Sequence, residues 1–278
     1  MSAVSEKLKE LFLSQGIEFF SVLSYSDCTE SSPSIIQRSS VTPRSVIIYL
    51  LPYYAGETVN LSRYAASLDY HIVISEINKA IINGLSEMFP GSASVGYGDH
   101  SPIDERKAAL ISGLGIAGKN GLIINEKYGS YVFIADVITD VPPDLLDAVA
   151  PSEICGCNGC GACFRACPTG ILSGNGEVCL SALTQKKGEL TPEEQQMIID
   201  GNSVWGCDAC QTACPYNANP IITPIEAFKK DRIPHLTRNI LDSMDKAAFN
   251  RRAFAWRGRK TVERNVDLFE NREKKTAE

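Results

Sequence analysis

Two cysteine runs constrain this chain more than any other feature. The first reads Cys157-x2-Cys160-x2-Cys163-x3-Cys167-Pro168, and the second Cys207-x2-Cys210-x3-Cys214-Pro215. Nine of the ten cysteines lie between Cys155 and Cys214, and only Cys28 stands outside. Residues 1–12 carry Glu6, Lys7, Lys9 and Glu10 and lack the apolar core of a secretory leader. The longest apolar stretch, 46–55, is too short to span a bilayer. The expected location is therefore the cytoplasm, with no membrane partner. In that reducing setting, thiols packed this densely point to metal rather than to disulfides.

The spacing of the first run is the bacterial-ferredoxin spacing for a [4Fe–4S] cluster, whose fourth cysteine ligates the other cluster in two-cluster proteins. The second run brings only three thiols, and Cys179 between the runs supplies the missing one. Cluster one then takes Cys157, Cys160, Cys163 and Cys214. Cluster two takes Cys207, Cys210, Cys179 and Cys167. Cys155 and Cys28 are left over as structural or incidental thiols. Soft thiolates suit iron–sulfur chemistry. Gly156, Gly159 and Gly161 allow the backbone to approach sulfur closely, and the proline after each run turns the chain away. The alternative is a pair of four-cysteine zinc sites, but zinc ribbons pair two CxxC units and do not use this run.

Two clusters carry electrons one at a time, and roughly 150 residues precede them, a domain's worth. That portion reads as an α/β body. Residues 5–15 present Leu8, Leu11 and Phe12 at helical spacing, and 17–24 read as a strand. The run 46–51 (VIIYLL) reads as a buried strand. Residues 62–89 read as a long helix, with Ile74, Ile77, Ile81, Leu85 and Met88 on one face. A further helix is expected to start at Ser101-Pro102, with proline in the first helical position. Strands are expected at 122–124 and 131–139. Prolines at 142, 143 and 151 mark a boundary. The division expected is 1–150, 151–222 and 223–278. Thr191-Pro192-Glu193-Glu194 is a capping box, and Thr223-Pro224-Ile225-Glu226 repeats its pattern. Gly113-x-Gly115-x-x-Gly118 matches a dinucleotide fingerprint, but a helix precedes it and a strand follows, the reverse of the required order. A tight loop beside a cofactor is the better reading, with Lys119 and Asn120 as polar contacts.

The net charge of −6 argues against a protein that coats nucleic acid indiscriminately. It conceals a basic stretch: residues 229–264 hold 11 Lys/Arg against 4 Asp/Glu. That stretch is either a solvated basic helix pair or a patch facing a polyanion. Its densest part is Arg251, Arg252, Arg257, Arg259 and Lys260, with Trp256 among them.

Several segments together resemble the epoxyqueuosine reductase family. They are RYAASLDYH (63–71), DHSPIDERKAALISGLGIAGKNGLIINEKYGSYVFIADVITD (99–140), CNGCGACFRACPTGIL (157–172), GCDACQTACPYN (206–217) and AFNRRAFAWRGRKTVERN (248–265). The resemblance implies an α+β protein: a nitroreductase-related, cobalamin-binding domain at 1–150, a two-cluster ferredoxin-like domain at 151–222, and a short basic helical segment at 223–278. It implies reduction of epoxyqueuosine to queuosine in tRNA, with electrons from a reduced ferredoxin- or flavodoxin-type donor. Asp99 falls where the family has its proton donor, although a helix N-cap is the plainer reading of that position. Arg63, Tyr64, Tyr70, His71, Lys119, Asn120, Ile123, Gly129 and Ser130 are implied as cobalamin contacts. The five basic residues above are implied as tRNA contacts. Longer members continue into a helical-repeat region where this chain stops at Glu278, and Ile116 stands where the family has an aromatic. Those departures keep two alternatives open. One is a related reductase of a small molecule, and the other is an electron-transfer protein without cobalamin.

Overall fold

The computed structural model describes residues 2–277, with side chains as far as 271. The chain forms two compact units. One comprises Met1–Tyr53 and His71–Gly159, and the other Tyr54–Tyr70 and Cys160–Glu278.

In the first unit, α1 (Ala3–Ser14) starts at Ser2, whose hydroxyl accepts from the Ser5 N–H. Strands β1 (Phe19–Ser24) and β2 (Ser45–Pro52) follow, with α2 (Pro33–Ile36) between them. Then come α3 (Tyr70–Met88), β3 (Ser94–Gly98), α4 (Glu105–Ile111), the short β4 (Ile116–Ala117) and β5 (Ile123–Ile124), and β6 (Val132–Thr139). The main sheet has the order β1-β2-β6-β3 and every pairing in it is antiparallel. All eight residues of β2 are buried, because helices cover both faces of the sheet. Strand alternation explains the sorting. Val46, Ile48 and Leu50 join Ala108, Leu110 and Ile111 of α4 in one core cluster. Tyr49 faces the other way, 5.3 Å from the ring of Phe12 on α1, and donates to Asn78 of α3. A Cβ at Gly96 would lie 2.4 Å from the Asn78 side chain, so glycine there lets α3 sit close on β3.

The second unit holds α5 (Ala162–Ala166), α6 (Leu180–Thr184), α7 (Pro192–Asp200), α8 (Ala209–Thr212), α9 (Glu226–Lys229), α10 (Arg238–Ser243), α11 (Lys246–Asn250) and α12 (Arg259–Ala277). Its main core gathers Leu61, Ala65, Trp205, Leu236, Phe254, Val262 and Val266. The indole N–H of Trp205 donates to the Tyr64 hydroxyl at 3.1 Å. α7 opens with the expected capping box of Thr191 and Glu194.

Three sequence expectations are corrected. The long helix begins at Tyr70 rather than 62, because the preceding backbone pairs elsewhere: Ser62 N–H donates to Trp205 O, and Asp69 N–H to Arg251 O. The next helix begins at Glu105, and Pro102 lies outside it, with its carbonyl taken by the Ser31 and Ser32 N–H groups. Thr223 caps no helix. Its hydroxyl accepts from Ile225 N–H in a local turn, and α9 starts one residue later. Among the described residues, no helix is long and apolar enough to cross a membrane.

Candidate functional site

The cysteine region is short helices joined by glycine turns. All ten cysteines are free thiols. Cys163 lies in α5 and Cys210 in α8, and the two helices pack together. Cys167 and Cys214 both have extended backbone immediately before a proline, so each chain leaves its run abruptly. Cys179 is the N-cap residue of α6 and is exposed.

Backbone N–H groups point at several of these sulfurs. The Gly159 N–H, then the Lys119 N–H, and finally the Lys119 charge hold the Cys157 thiol below its ordinary pKa. Gly159 reaches that position with φ +69°, which a side chain would strain. At Cys167, burial pushes the thiol up, but the Leu172, Thr169 and Ile171 N–H groups and the Thr169 hydroxyl outweigh it, and the net direction is down. Cys207 moves the other way: burial raises it, and so do the neighbouring charges of Cys179, Asp208 and Cys167. Cys179 and Cys167 therefore both lie within electrostatic reach of Cys207. Among the described residues, no three His, Cys, Asp or Glu side chains converge on a single-ion site. A four-iron cubane takes each thiolate at a different corner and needs no such convergence.

Arg63 holds the corner between Cys207 and Cys210. Its backbone N–H and guanidinium donate to Asp208 at 2.7 and 3.2 Å, and the guanidinium also reaches Thr212 and Glu57. A cavity of about 480 Å³ opens there, lined by Arg63, Pro168, Cys207 and Asp208 among others. Tyr64 is bound to Trp205, and Tyr70 packs edge-on against Tyr64.

The carboxylate site lies in the first unit. Asp99 directly follows β3 and has φ +66°, a left-handed conformation that Asp tolerates better than most residues. Its side chain is 66% exposed, and Oδ2 lies 3.7 Å from Nε2 of His71, at the first turn of α3. The capping role belongs instead to Asp104, whose side chain accepts from Lys107 N–H. The N-cap reading of Asp99 is thereby overturned. A cavity of about 270 Å³ lies alongside, lined by His71, Ile74, Asn78, Tyr97 and Gly98 among others.

Two carboxyls sit behind Asp99 that sequence reasoning did not single out as functional. Glu105 accepts from the Asp99 backbone N–H, and Asp136 on β6 is fully buried beside it. Burial raises both carboxyls, and Asp136 and Asp99 raise Glu105 further. The available signal was one acidic residue inside the apolar run VFIADVIT.

The remaining expected contacts fall as follows. Ile123 is buried in the core cluster with α4. Gly129 closes a backbone bridge with Asn125, and Ser130 beside it is buried. Asn120 Oδ1 accepts from Leu122 N–H, while its Nδ2 is buried without a partner among the described residues. In the basic stretch, Arg259 donates to the carbonyls of Leu241 and Met244 and pairs with Glu263. Arg252 is half-buried and donates to Asp231 O. Arg257 stacks 3.6 Å over the ring of Trp256, which is 57% exposed. Arg251 and Lys260 are exposed.

A mixed α/β chain carrying these two cysteine runs has the make-up of a double-cluster iron–sulfur protein. Residues 156–217 match the family described as a 4Fe-4S double cluster binding domain. The epoxyqueuosine reductase of Cyclobacterium marinum is 33% identical over 248 residues, covering 82% of this chain and 76% of that protein. That of Listeria monocytogenes is 34% identical over 218 residues, covering 74% of this chain and 55% of that one. The chain thus spans only about half the length of some curated relatives it matches. A crystal structure of epoxyqueuosine reductase with an epoxyqueuosine-modified tRNA-Tyr stem loop superposes with a TM-score of 0.76 at 25% identity, covering 95% of this chain and 80% of that one. The chain belongs to the epoxyqueuosine reductase family.

Proposed function

We propose that this chain is a cytoplasmic oxidoreductase that reduces epoxyqueuosine to queuosine in tRNA, using two [4Fe–4S] clusters and cobalamin. Residues 1–150 are read as the nitroreductase-related cobalamin domain, 151–222 as the two-cluster domain and 223–278 as the basic helical segment. The last residue of that segment, and the side chains from 272 on, lie outside the described residues. The observation that carries the reading is Asp99: a left-handed carboxyl residue at the end of a sheet strand, beside His71, with the α4 cap supplied by Asp104.

The donor sets fit the cofactors. Cys157, Cys160, Cys163 and Cys214 would hold one cluster, and Cys207, Cys210, Cys179 and Cys167 the other, with N–H groups at Cys157 and Cys167 to stabilise charge on sulfur. The Nδ2 of Asn120, buried and without a partner among the described residues, fits a polar edge of a corrin, and the small residues Gly129 and Ser130 leave room beside a macrocycle. Lys119, His71, Ile123, Arg63, Tyr64 and Tyr70 complete the set of contacts proposed from the family resemblance. When bound, the clusters carry single electrons, and a cobalt corrin supplies a reductant strong enough for carbon.

The chain's own residues manage the proton and the substrate. Removing an epoxide oxygen as water consumes two electrons and two protons and breaks both carbon–oxygen bonds. Asp99 protonates the departing oxygen, and His71 orients and recharges it. Arg251, Arg257 and Lys260 would meet phosphates of the anticodon stem, while Arg252 and Arg259 are engaged by carbonyls of their own unit. The electron donor is of the reduced ferredoxin or flavodoxin type.

Anaerobic reconstitution with iron, sulfide and cobalamin, followed by a queuosine assay on epoxyqueuosine-containing tRNA, tests the reading. Asp99→Ala is expected to abolish turnover while iron and cobalamin contents stay normal. Full activity in that variant removes Asp99 from the mechanism. A second reading, reduction of a small molecule, draws on Arg252 and Arg259, which are tied to the protein's own carbonyls. Absence of tRNA binding at low salt would favour it.

A further inference from the structure

Asp136 stands on β6 opposite Ile48 of β2 and Tyr97 of β3, and it is 0% exposed. Both its oxygens, and Glu105 Oε1, are buried without a standing donor among the described residues. The ionisable groups that feel its charge are Glu105 from α4, Tyr49 from β2, Tyr97 from β3 and Cys28 from the turn after β1. The Ser101 hydroxyl also approaches it. None of these is cationic. Arg106, which follows Glu105, is turned away onto the Gly121 carbonyl. Two buried carboxyls with no counter-cation cannot both ionise, because the desolvation cost falls twice and their repulsion adds to it. One proton between them removes the repulsion and creates the missing donor, a carboxyl O–H from Glu105 to Asp136.

Glu105 meets the Asp99 turn through its remaining acceptor capacity. The Asp99 N–H donates to it, in a turn whose φ of +66° costs a non-glycine residue conformational energy. We propose that Glu105 and Asp136 share one proton at neutral pH, and that Glu105 in this form holds the Asp99 turn in place. Glu105 is then a positioning residue for the proton donor and Asp136 its anchor. This rests on the reading of Asp99 given above. Protonated Glu105 also keeps a second full charge from standing within electrostatic reach of Asp99.

Three measurements on the reconstituted protein test it. Infrared difference spectra between wild type and Glu105→Gln at pH 7 should show a protonated carboxylic acid present only in wild type. Hydrogen exchange of the peptide containing Asp99 should be unchanged in Glu105→Gln, which keeps both the donor and the acceptor, and faster in Glu105→Ala. Turnover should follow the exchange: within about twofold of wild type for Gln, and down by about 100-fold in kcat for Ala, with KM for the stem loop unaltered. No protonated carboxyl at pH 7 would overturn the shared proton. Exchange and turnover equally impaired in the Gln and Ala variants would overturn the positioning role. If the chain does not reduce epoxyqueuosine at all, the function proposed above fails, while the infrared and exchange results still decide the pair.

Discussion

Asn265 on α12 shows how much a single buried amide can tie together in the second unit. It is fully buried, and its Nδ2 donates to the carbonyls of Thr184, at the end of α6, and Val204, beside Trp205. Replacing it with alanine strands two buried carbonyls. Asn265→Ala is expected to cost about 3 kcal/mol, read as a lower urea midpoint at unchanged slope. The buried carboxyls give a residue-scale prediction of opposite character. Their folded pKa values lie above the unfolded ones, so between the two the folded chain binds more protons than the unfolded chain. Their contribution is fully present below the ordinary carboxyl range and is lost as pH rises toward the raised value, about 9 for Glu105. The urea midpoint of wild type should therefore fall from pH 5 to pH 9, and that of Glu105→Gln should fall less. Asp136 was legible as a lone acid in an apolar strand. Its partnership with Glu105 was not, because only the pairing of β6 beside α4 brings the two together. The choice between Asp99 and Asp104 as cap was equally hidden, since Pro102 suits either helix start until its carbonyl is seen to accept from Ser31 and Ser32.

At the scale of elements, hydrophobic pattern carried strands better than helix boundaries. The run VIIYLL announced β2, and 131–139 announced β6, because each is buried on both faces. β3 went unread: Ser-Val-Gly-Tyr-Gly is too short and glycine-rich to signal a strand, and those glycines exist for the close approach of α3. The helix expected from 62 lost its first turns to bridges that pair Leu61 with Trp205 and Leu68 with Arg252, partners far away in sequence. The cysteine runs were the most legible elements, since their spacing is itself the chemistry. That spacing leaves Cys179 as an inference by count. Cys179→Ser should lower iron and sulfide by about half, through loss of one cluster of two. Cys155→Ser and Cys28→Ser should leave both contents unchanged. Cys28 in particular is a half-buried thiol that donates to the Ser24 carbonyl, and burial beside Asp136 pushes it up to about 12. Iron and acid-labile sulfide analysis after reconstitution distinguishes these outcomes.

Over the whole molecule, a net charge of −6 and a basic stretch of +7 describe two different kinds of arginine. The sequence shows five basic residues from 251 to 260 as one patch. The structure separates them by what they touch. Arg259 satisfies two carbonyls at the end of α10, pairs with Glu263 and lies 5.2 Å over the Phe249 ring, so its charge is spent inside the unit. Arg251 and Lys260 are exposed and make the charge that a phosphate backbone would meet. Formal charge cannot distinguish these roles, because guanidinium stems pack and carbonyls accept irrespective of net balance. The distinction is measurable. In the double variant Arg251→Glu, Lys260→Glu, affinity for an anticodon stem loop at low salt should fall, with the urea midpoint within error of wild type. The plot of log affinity against log salt should become shallower by about 1 for each phosphate contact removed. Arg259→Ala should reverse that pattern: a loss of about 2 kcal/mol of stability from two unmet carbonyls and a broken ion pair, with the salt slope retained. A chain whose affinity is indifferent to residues 251 and 260 would not be using this stretch for RNA, and the reduction of a small molecule would then become the stronger reading of the same site.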